Sequence, residues 1–344
     1  MDPTNALEWQ APAEWRKITV IDSHAGGEPF RLVVDGLPAI AGTTILERRQ
    51  YAREKLDWLR RALMWEPRGH ADMYGGWIVP PETPDGDIGI LFTHNSGFST
   101  MCGHGIIALA KLVIETGMLP ASGPETSLRI DTPAGRVLAT ATLEGQTVTR
   151  TRFENVPSFA VDLAATVGTP EFGPIRYDLA FGGAFYAMVD IETVGLTFDD
   201  TAALIAAGRA LKRAISVSRE ITHPAADDLG FLYGVIFTGA AREAGSHSRN
   251  VCVFADGEVD RSPTGTGVSA RLAILSARGE LDVGEEITVE SIVGSRFTGT
   301  IARKTQVGGH DAVIPEISGT AHLLGRAELW LSPEDVLGRG FLVR

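Results

Sequence analysis

LFTHNSGFSTMCGHGIIALAKLVIETGML, residues 91–119, and VFADGEVDRSPTGTGVSARLAILSARGEL, residues 253–281, lie 162 residues apart and align without a gap. Phe92 matches Phe254, Gly103 and Gly105 match Gly265 and Gly267, Ala108 matches Ala270, Gly117 matches Gly279, and Leu119 matches Leu281. Each copy reads as a strand, a loop, an X-G-X-G turn, a helix, and a glycine where the helix must stop. The first helix is expected from about Gly105 to Thr116. Its apolar residues Ile106, Ile107, Ala110, Val113 and Ile114 follow the helical period, and their neighbours are largely apolar too. Such a helix should be buried nearly all round.

The flanks repeat more weakly. HAGGEPFRLVVDG from His24 and AFGGAFYAMVD from Ala180 share a Gly-Gly pair. SLRIDTPAGRVLATA and EITVESIVGSRFTGTIA each alternate apolar and polar residues around a glycine bend, the pattern of half-buried strands. A unit that recurs at one offset is a duplication. The expected fold is α+β: two copies of a domain with a buried central helix, facing each other across a pseudo-two-fold cleft. The first copy is expected to span residues 17–160 and carry Cys102. The chain end AELWLSPEDVLGRGFLVR, a strand plus a capped turn, completes it from about 325 to 344. Residues 161–324 form the second copy, which carries Asp260 and Thr264. Clefts at domain junctions are where ligands tend to sit.

The length of 344 residues suits two domains at roughly 150 residues each. The net charge of −12 repels phosphate backbones, so nucleic acid is not an expected partner. No apolar run approaches the roughly 20 residues of a membrane span, and MDPTNALEWQAPAEWRK has no secretory core. Two cysteines, Cys102 and Cys252, exclude a disulfide scaffold and a multi-cysteine metal site. They fit a reducing compartment, and a cytoplasmic location is expected. The histidines show no paired metal-ligand spacing, so no metal is expected. His223, and His247 with Arg249, are read as loop residues. Oligomeric state is not readable, although a homodimer is compatible with the chain.

Chemistry is expected at the two helix N-termini. The first N–H groups of a helix have no partner within it, and with the helix dipole they attract an anion. Glycines at 103, 105, 265 and 267 clear side chains from that approach. Two facing N-termini can therefore clamp one carboxylate. Cys102 immediately precedes the first helix, a position that lowers a thiol's pKa and favours a thiolate base or nucleophile. His104 beside it should be pushed toward neutral and can meet a substrate amine or orient the thiol. Asp260, four residues before Thr264, can hold a cationic amine. Cys252 lies in an apolar strand and reads as inert core. Thr264 occupies the place of Cys102 in the second copy, and its hydroxyl is too weak an acid to serve as a free base, so the duplicated site is chemically one-sided.

With IDSHAGGEPFRLVVDGLP (21–38), MYGGWIVP (73–80), MCGHG (101–105) and DRSPTGTGVSARLAIL (260–275), the chain resembles the proline racemase superfamily, which includes hydroxyproline epimerases and trans-3-hydroxy-L-proline dehydratases. The resemblance covers most of the chain. It implies a diaminopimelate-epimerase-like pair of domains, each wrapping a sheet around a central helix, with the active site in the cleft between them. It further implies that no cofactor is used and that the substrate is a small imino acid. Cys102 matches the first of two cysteines that flank the substrate Cα in the racemases and epimerases. The backbone amides of Gly103, His104, Gly265 and Thr266 match the carboxylate clamp, and His104 with Asp260 match the contacts to the ring nitrogen. The second cysteine is replaced by Thr264, which looks like the dehydratase branch.

A one-base site suits that dehydration. In the trans-3-hydroxy isomer the Cα proton and the hydroxyl share one ring face, so one residue can take the proton and return it to the departing hydroxyl. An epimerase or racemase in which Thr264 holds a water as the second acid is the alternative within enzymes. A non-catalytic imino-acid binding protein is the alternative outside them.

Overall fold

The computed structural model describes residues 1–343, so only Arg344 of the expected boundaries lies outside it. The chain opens with helix α1 (Asn5–Glu8) and the hairpin β1 (Arg16–Ala25) and β2 (Glu28–Asp35), followed by α2 (Ile45–Lys55) and α3 (Asp57–Met64). Next come β3 (Tyr74–Val79), β4 (Ile88–His94), β5 (Gly97–Phe98), α4 (Gly103–Glu115), β6 (Glu125–Thr132), β7 (Gly135–Glu144) and β8 (Thr147–Glu154). The second half runs β9 (Ser158–Thr169), β10 (Gly173–Phe181), β11 (Phe185–Asp190), α5 (Thr201–Ser218), β12 (Leu232–Gly239), β13 (Ser248–Phe254) and β14 (Glu258–Asp260). It continues with α6 (Gly265–Arg278), β15 (Glu286–Glu290), β16 (Arg296–Val307) and β17 (His310–Gly319), and β18 (Ala321–Leu331) closes the chain.

Strand pairing repeats with the sequence. β1–β2 is antiparallel, β2–β3 parallel, β3–β4 and β4–β5 antiparallel, β4–β6 parallel and β6–β7 antiparallel. β10 to β16 follow the same order with the same directions. β18 pairs antiparallel with β1, and β17 pairs with both β8 and β9, so all the strands join one mixed sheet.

The two glycine pairs sit at equivalent hairpin turns. Gly26 and Gly27 take φ of 60° and 90° between β1 and β2, the left-handed values a tight turn of this hand requires. Between β10 and β11, a Cβ on Gly182 would lie 2.2 Å from the Thr266 carbonyl, so only glycine lets this turn rest on α6.

Every residue of α4 from Gly103 to Ile114 is buried, and the helix begins two residues before the expected start because Cys102 caps it. Lys111 is tolerated there because its ammonium reaches Glu115 and the Val148 carbonyl, both at 2.7 Å. Its long stem lies in the apolar packing. α6 is buried through ten residues, from Gly265 to Leu275 on all but its Arg271 side. A smaller apolar cluster under α2 and α3 surrounds Trp77. His223 lies in a loop, and His247 immediately precedes β13. Arg249 departs from expectation. It lies within β13, buried, because its guanidinium finds the carbonyls of Ser291 and Ile292 and stacks over Phe198.

Candidate active site

The starts of α4 and α6 meet in backbone contact. A Cβ on Gly103 would lie 2.7 Å from the Gly265 Cα, and one on Gly265 would lie 2.9 Å from the Gly103 Cα. The amides of Gly103, His104, Gly265 and Thr266 are first-turn groups with no partner inside their helices. They therefore converge on one place with the positive ends of both dipoles.

Cys102 is the N-cap of α4. Its Sγ accepts the Gly105 N–H at 3.1 Å and lies 3.3 Å from His104 Nδ1. The expected low thiol pKa is not what this environment produces. Burial pushes Cys102 well above its ordinary value; the Gly105 N–H pulls back, and the carboxylates of Asp260 and Glu28 push further up. Hydrogen bonds from the Gly105 N–H and Tyr74 cannot outweigh full desolvation with two carboxyl groups nearby. His104 behaves as expected. Burial holds it down at about 3, and its ring also bonds the Pro29 carbonyl, so the imidazole is neutral at physiological pH.

The second helix is capped differently. Thr264 adopts φ 64°, ψ 88°, a left-handed conformation rare for a β-branched residue, and its side chain makes no cap bond. Its buried Oγ1 has no hydrogen-bond partner of ordinary geometry. Asp260 is buried, accepts the Ser262 N–H at 2.7 Å, and is raised by burial to about 6. Its loop is anchored from the first half of the chain, where Glu28 accepts the Arg261 N–H at 2.8 Å.

Cys102, Gly103, His104, Asp260, Thr264, Gly265 and Thr266 all line one cavity of about 20 Å³, so the seven residues expected at the cleft are brought together. That volume holds about one water. Six further residues in its wall were not foreseen there, the apolar Met101 and Phe254 and four with polar or sulfur groups. Tyr186 bonds Thr266 Oγ1 at 2.7 Å, Tyr74 bonds Ser99 at 2.5 Å and Tyr233 at 3.3 Å, and Cys252 lies on β13 directly opposite Asp260 on β14. Tyr74 sits in the MYGGWIVP block and Tyr186 in the second Gly-Gly block, the one signal that marked them. Among the described residues, no three of His, Cys, Asp or Glu are grouped to hold a metal, and no helix is long and apolar enough to cross a membrane.

The model of the family described as proline racemase matches residues 20–342. The trans-3-hydroxy-L-proline dehydratase of Burkholderia cenocepacia is 45% identical over 331 residues, covering 96% of this chain and 99% of that protein. The 3-hydroxyproline 2-epimerase of Burkholderia multivorans is also 45% identical over 331 residues, with the same coverage of 96% and 99%. Among solved structures, a hydroxyproline epimerase from Agrobacterium vitis with bound trans-4-hydroxy-L-proline superposes with a TM-score of 0.92 at 32% identity, covering 96% of each chain.

Proposed function

Because the chain belongs to the proline racemase family, we propose that it removes water from trans-3-hydroxy-L-proline to give 1-pyrroline-2-carboxylate, with Cys102 as its single base. Equal identity to a dehydratase and an epimerase does not choose between them. The observation that carries the reading is the asymmetry of the two helix caps, a thiol at Cys102 and a hydroxyl at Thr264 in one cavity.

The substrate carboxylate sits between the amides of Gly103, His104, Gly265 and Thr266, and its cationic ring nitrogen faces Asp260 and His104. Asp260, at about 6, is mostly ionised at neutral pH and can receive that cation. The bound cation also offsets the burial that disfavours a Cys102 thiolate, the Gly105 N–H at 3.1 Å from Sγ stabilises that anion, and His104, held neutral, orients the thiol from 3.3 Å. The thiolate takes Hα, the electrons of that C–H bond form the Cα–Cβ double bond, and the C3–O bond breaks. The thiol, directly or through a water, returns the proton to the departing hydroxyl, which leaves as water and regenerates the thiolate. The clamp stabilises charge that develops on the carboxylate during the proton transfer. The enamine then tautomerises to the imine. Every atom is accounted for without a cofactor.

The fold in this reading is the diaminopimelate-epimerase-like one, with pseudo-symmetric domains at 17–160 plus 325–344 and at 161–324. The repeated strand order supports it. Two free cysteines support a reducing, cytoplasmic setting.

One observation favours a second reading. The Thr264 hydroxyl lies beside Asp260 and Cys252 without a hydrogen bond of ordinary geometry, in a cavity with room for about one water, where it can hold a water as the acid of an epimerase. Incubation with trans-3-hydroxy-L-proline in deuterium oxide separates the two. The expected product is 1-pyrroline-2-carboxylate; an epimerised product carrying solvent deuterium, with no pyrroline, would overturn the dehydratase assignment.

A further inference from the structure

A second and much larger pocket, about 620 Å³, opens beside α6 away from the catalytic residues. By the same measure it is some thirty times the catalytic cavity. Arg176 of β10, Asp190 of β11, His247, and Arg271 and Arg278 of α6 contribute to its wall. Its charges are unevenly engaged. Asp178 is held by Arg278 through two contacts of 2.8 Å and also accepts the Ala164 N–H. Asp190 accepts the Glu192 N–H, and Glu280 is exposed at the mouth.

Arg271 is different. Its Nε is fully buried without a hydrogen-bond partner, and among the described residues the guanidinium forms no ion pair. Arg176, across the pocket, has no ion pair either. His247 bonds the Ser248 hydroxyl and adds no counter-charge. Asp178, Glu280 and Asp190 act on the half-buried guanidinium only through space, and a buried N–H without an acceptor is costly, so native structures leave few such atoms unexplained. The acceptor that satisfies a guanidinium best is an oxyanion with two parallel oxygens.

We propose that this pocket is a second binding site for a small multivalent oxyanion, carboxylate or phosphate, with Arg271 as the primary contact and Arg176 as the secondary one. The occupant is distinct from the imino-acid substrate because the pocket shares no residue with the catalytic cavity. Arg271 lies two turns into the helix whose first amides belong to the carboxylate clamp, so an anion seated there fixes the same helix from its other side.

Citrate and inorganic phosphate are the probes, titrated into the full chain by calorimetry at ionic strength matched with sodium chloride. Each titration is repeated with saturating L-proline, which occupies the carboxylate clamp, so the binding that remains reports on the larger pocket alone. One anion or both should bind at one site per chain, and the preferred one identifies the source of the oxygens. Arg271→Met should weaken binding at least tenfold, and Arg271→Lys should restore part of it. Arg176→Met, at an exposed position, should weaken binding about threefold and serves if Arg271→Met does not fold. Binding no stronger than the salt control, equal binding by the Arg271→Met or Arg176→Met protein, or citrate competing with imino acid at the catalytic cavity would each overturn the site.

Discussion

Cys102 shows how two rules for one residue compete. A helix N-terminus favours a thiolate, and the Gly105 N–H at 3.1 Å delivers that effect. Burial and two carboxylates win, so the resting thiol keeps its proton. In the proposed reaction the charge of the substrate is therefore part of the activation of Cys102. Cys102→Ser should lower kcat/KM for dehydration by at least about a thousandfold with unchanged fold, because an alkoxide is harder still to form there; a loss below tenfold in a steady-state assay would remove Cys102 from the role of base. Thr264→Cys should introduce deuterium exchange at Cα of L-proline where the native protein shows little, read by proton NMR in deuterium oxide; no gain would mean that the wall tyrosines also set the reaction. Asp260 gives the pH dependence. Its folded pKa of about 6 lies above the ordinary 3.8, so ionisation favours the unfolded chain. The stability contributed by the neutral form is complete below about 4 and lost as pH rises to about 6, a difference of about 3 kcal/mol. Asp260→Asn should therefore raise the melting temperature at pH 7.5 while abolishing substrate binding, and in the native protein kcat/KM should fall as pH drops through about 6. An unchanged melting temperature with intact binding would refute both halves. These candidate positions were legible in the sequence because they flank the repeated turn. Tyr74, Tyr186, Tyr233 and Cys252 were not assembled, since alternation along a strand indicates which side chains are buried but not which cavity they meet.

At the level of elements, the repeat specifies more than either copy alone. X-G-X-G before a helix is a weak signal, yet both copies became caps of buried helices, and both Gly-Gly pairs became hairpin turns. What the sequence withheld was the contact between elements. Gly103 and Gly265 read as glycines that clear an anion's approach, but each is also required by the other's backbone. Gly103→Ala would set a methyl 2.7 Å from the Gly265 Cα and 3.0 Å from its carbonyl carbon, main-chain atoms that cannot rotate away. Forcing the two helix starts apart should cost about 1–3 kcal/mol in urea unfolding, the usual range for overpacking. It should also raise KM more than it lowers kcat, since the clamp amides move together with the backbone. A kcat loss with unchanged KM would show that the helix starts do not hold the carboxylate. The buried Lys111 of α4 and the strand position of Arg249 were equally hidden, because each charge is satisfied by carbonyls remote in sequence.

For the whole molecule, the closed cavity sets a requirement. About 20 Å³ admits a water but not a five-membered ring, so substrate must enter through a state in which α4 and α6 are further apart. The two halves are joined in two physically different ways. β17 of the second half pairs with β8 of the first through a backbone ladder, which cannot part without breaking several hydrogen bonds together, and β9 holds β17 from within its own half. Around the cavity the links are local side-chain contacts: Ser295 to the Gly26 carbonyl at 2.6 Å, Glu28 to the Arg261 N–H at 2.8 Å with the Arg261 side chain on the Asp72 carbonyl at 3.1 Å, Ser96 and His94 to Glu258 at 2.6 and 3.3 Å, and Tyr74 to Tyr233 at 3.3 Å. Opening is therefore expected at the rim, with the β8–β17–β9 junction as the hinge. Amide hydrogen exchange tests this with L-proline, which carries the clamped carboxylate and ring nitrogen but no hydroxyl to lose. In the free protein the Arg261 amide should exchange at least tenfold faster than the amides of the β8–β17 ladder, and saturating L-proline should slow it while leaving the ladder unchanged. Ser295→Ala, which removes one rim link and touches no cavity residue, should speed Arg261 exchange in the free protein and raise KM with kcat nearly constant. Uniform exchange across rim and ladder, with no response to L-proline, would mean that the ring enters by another route.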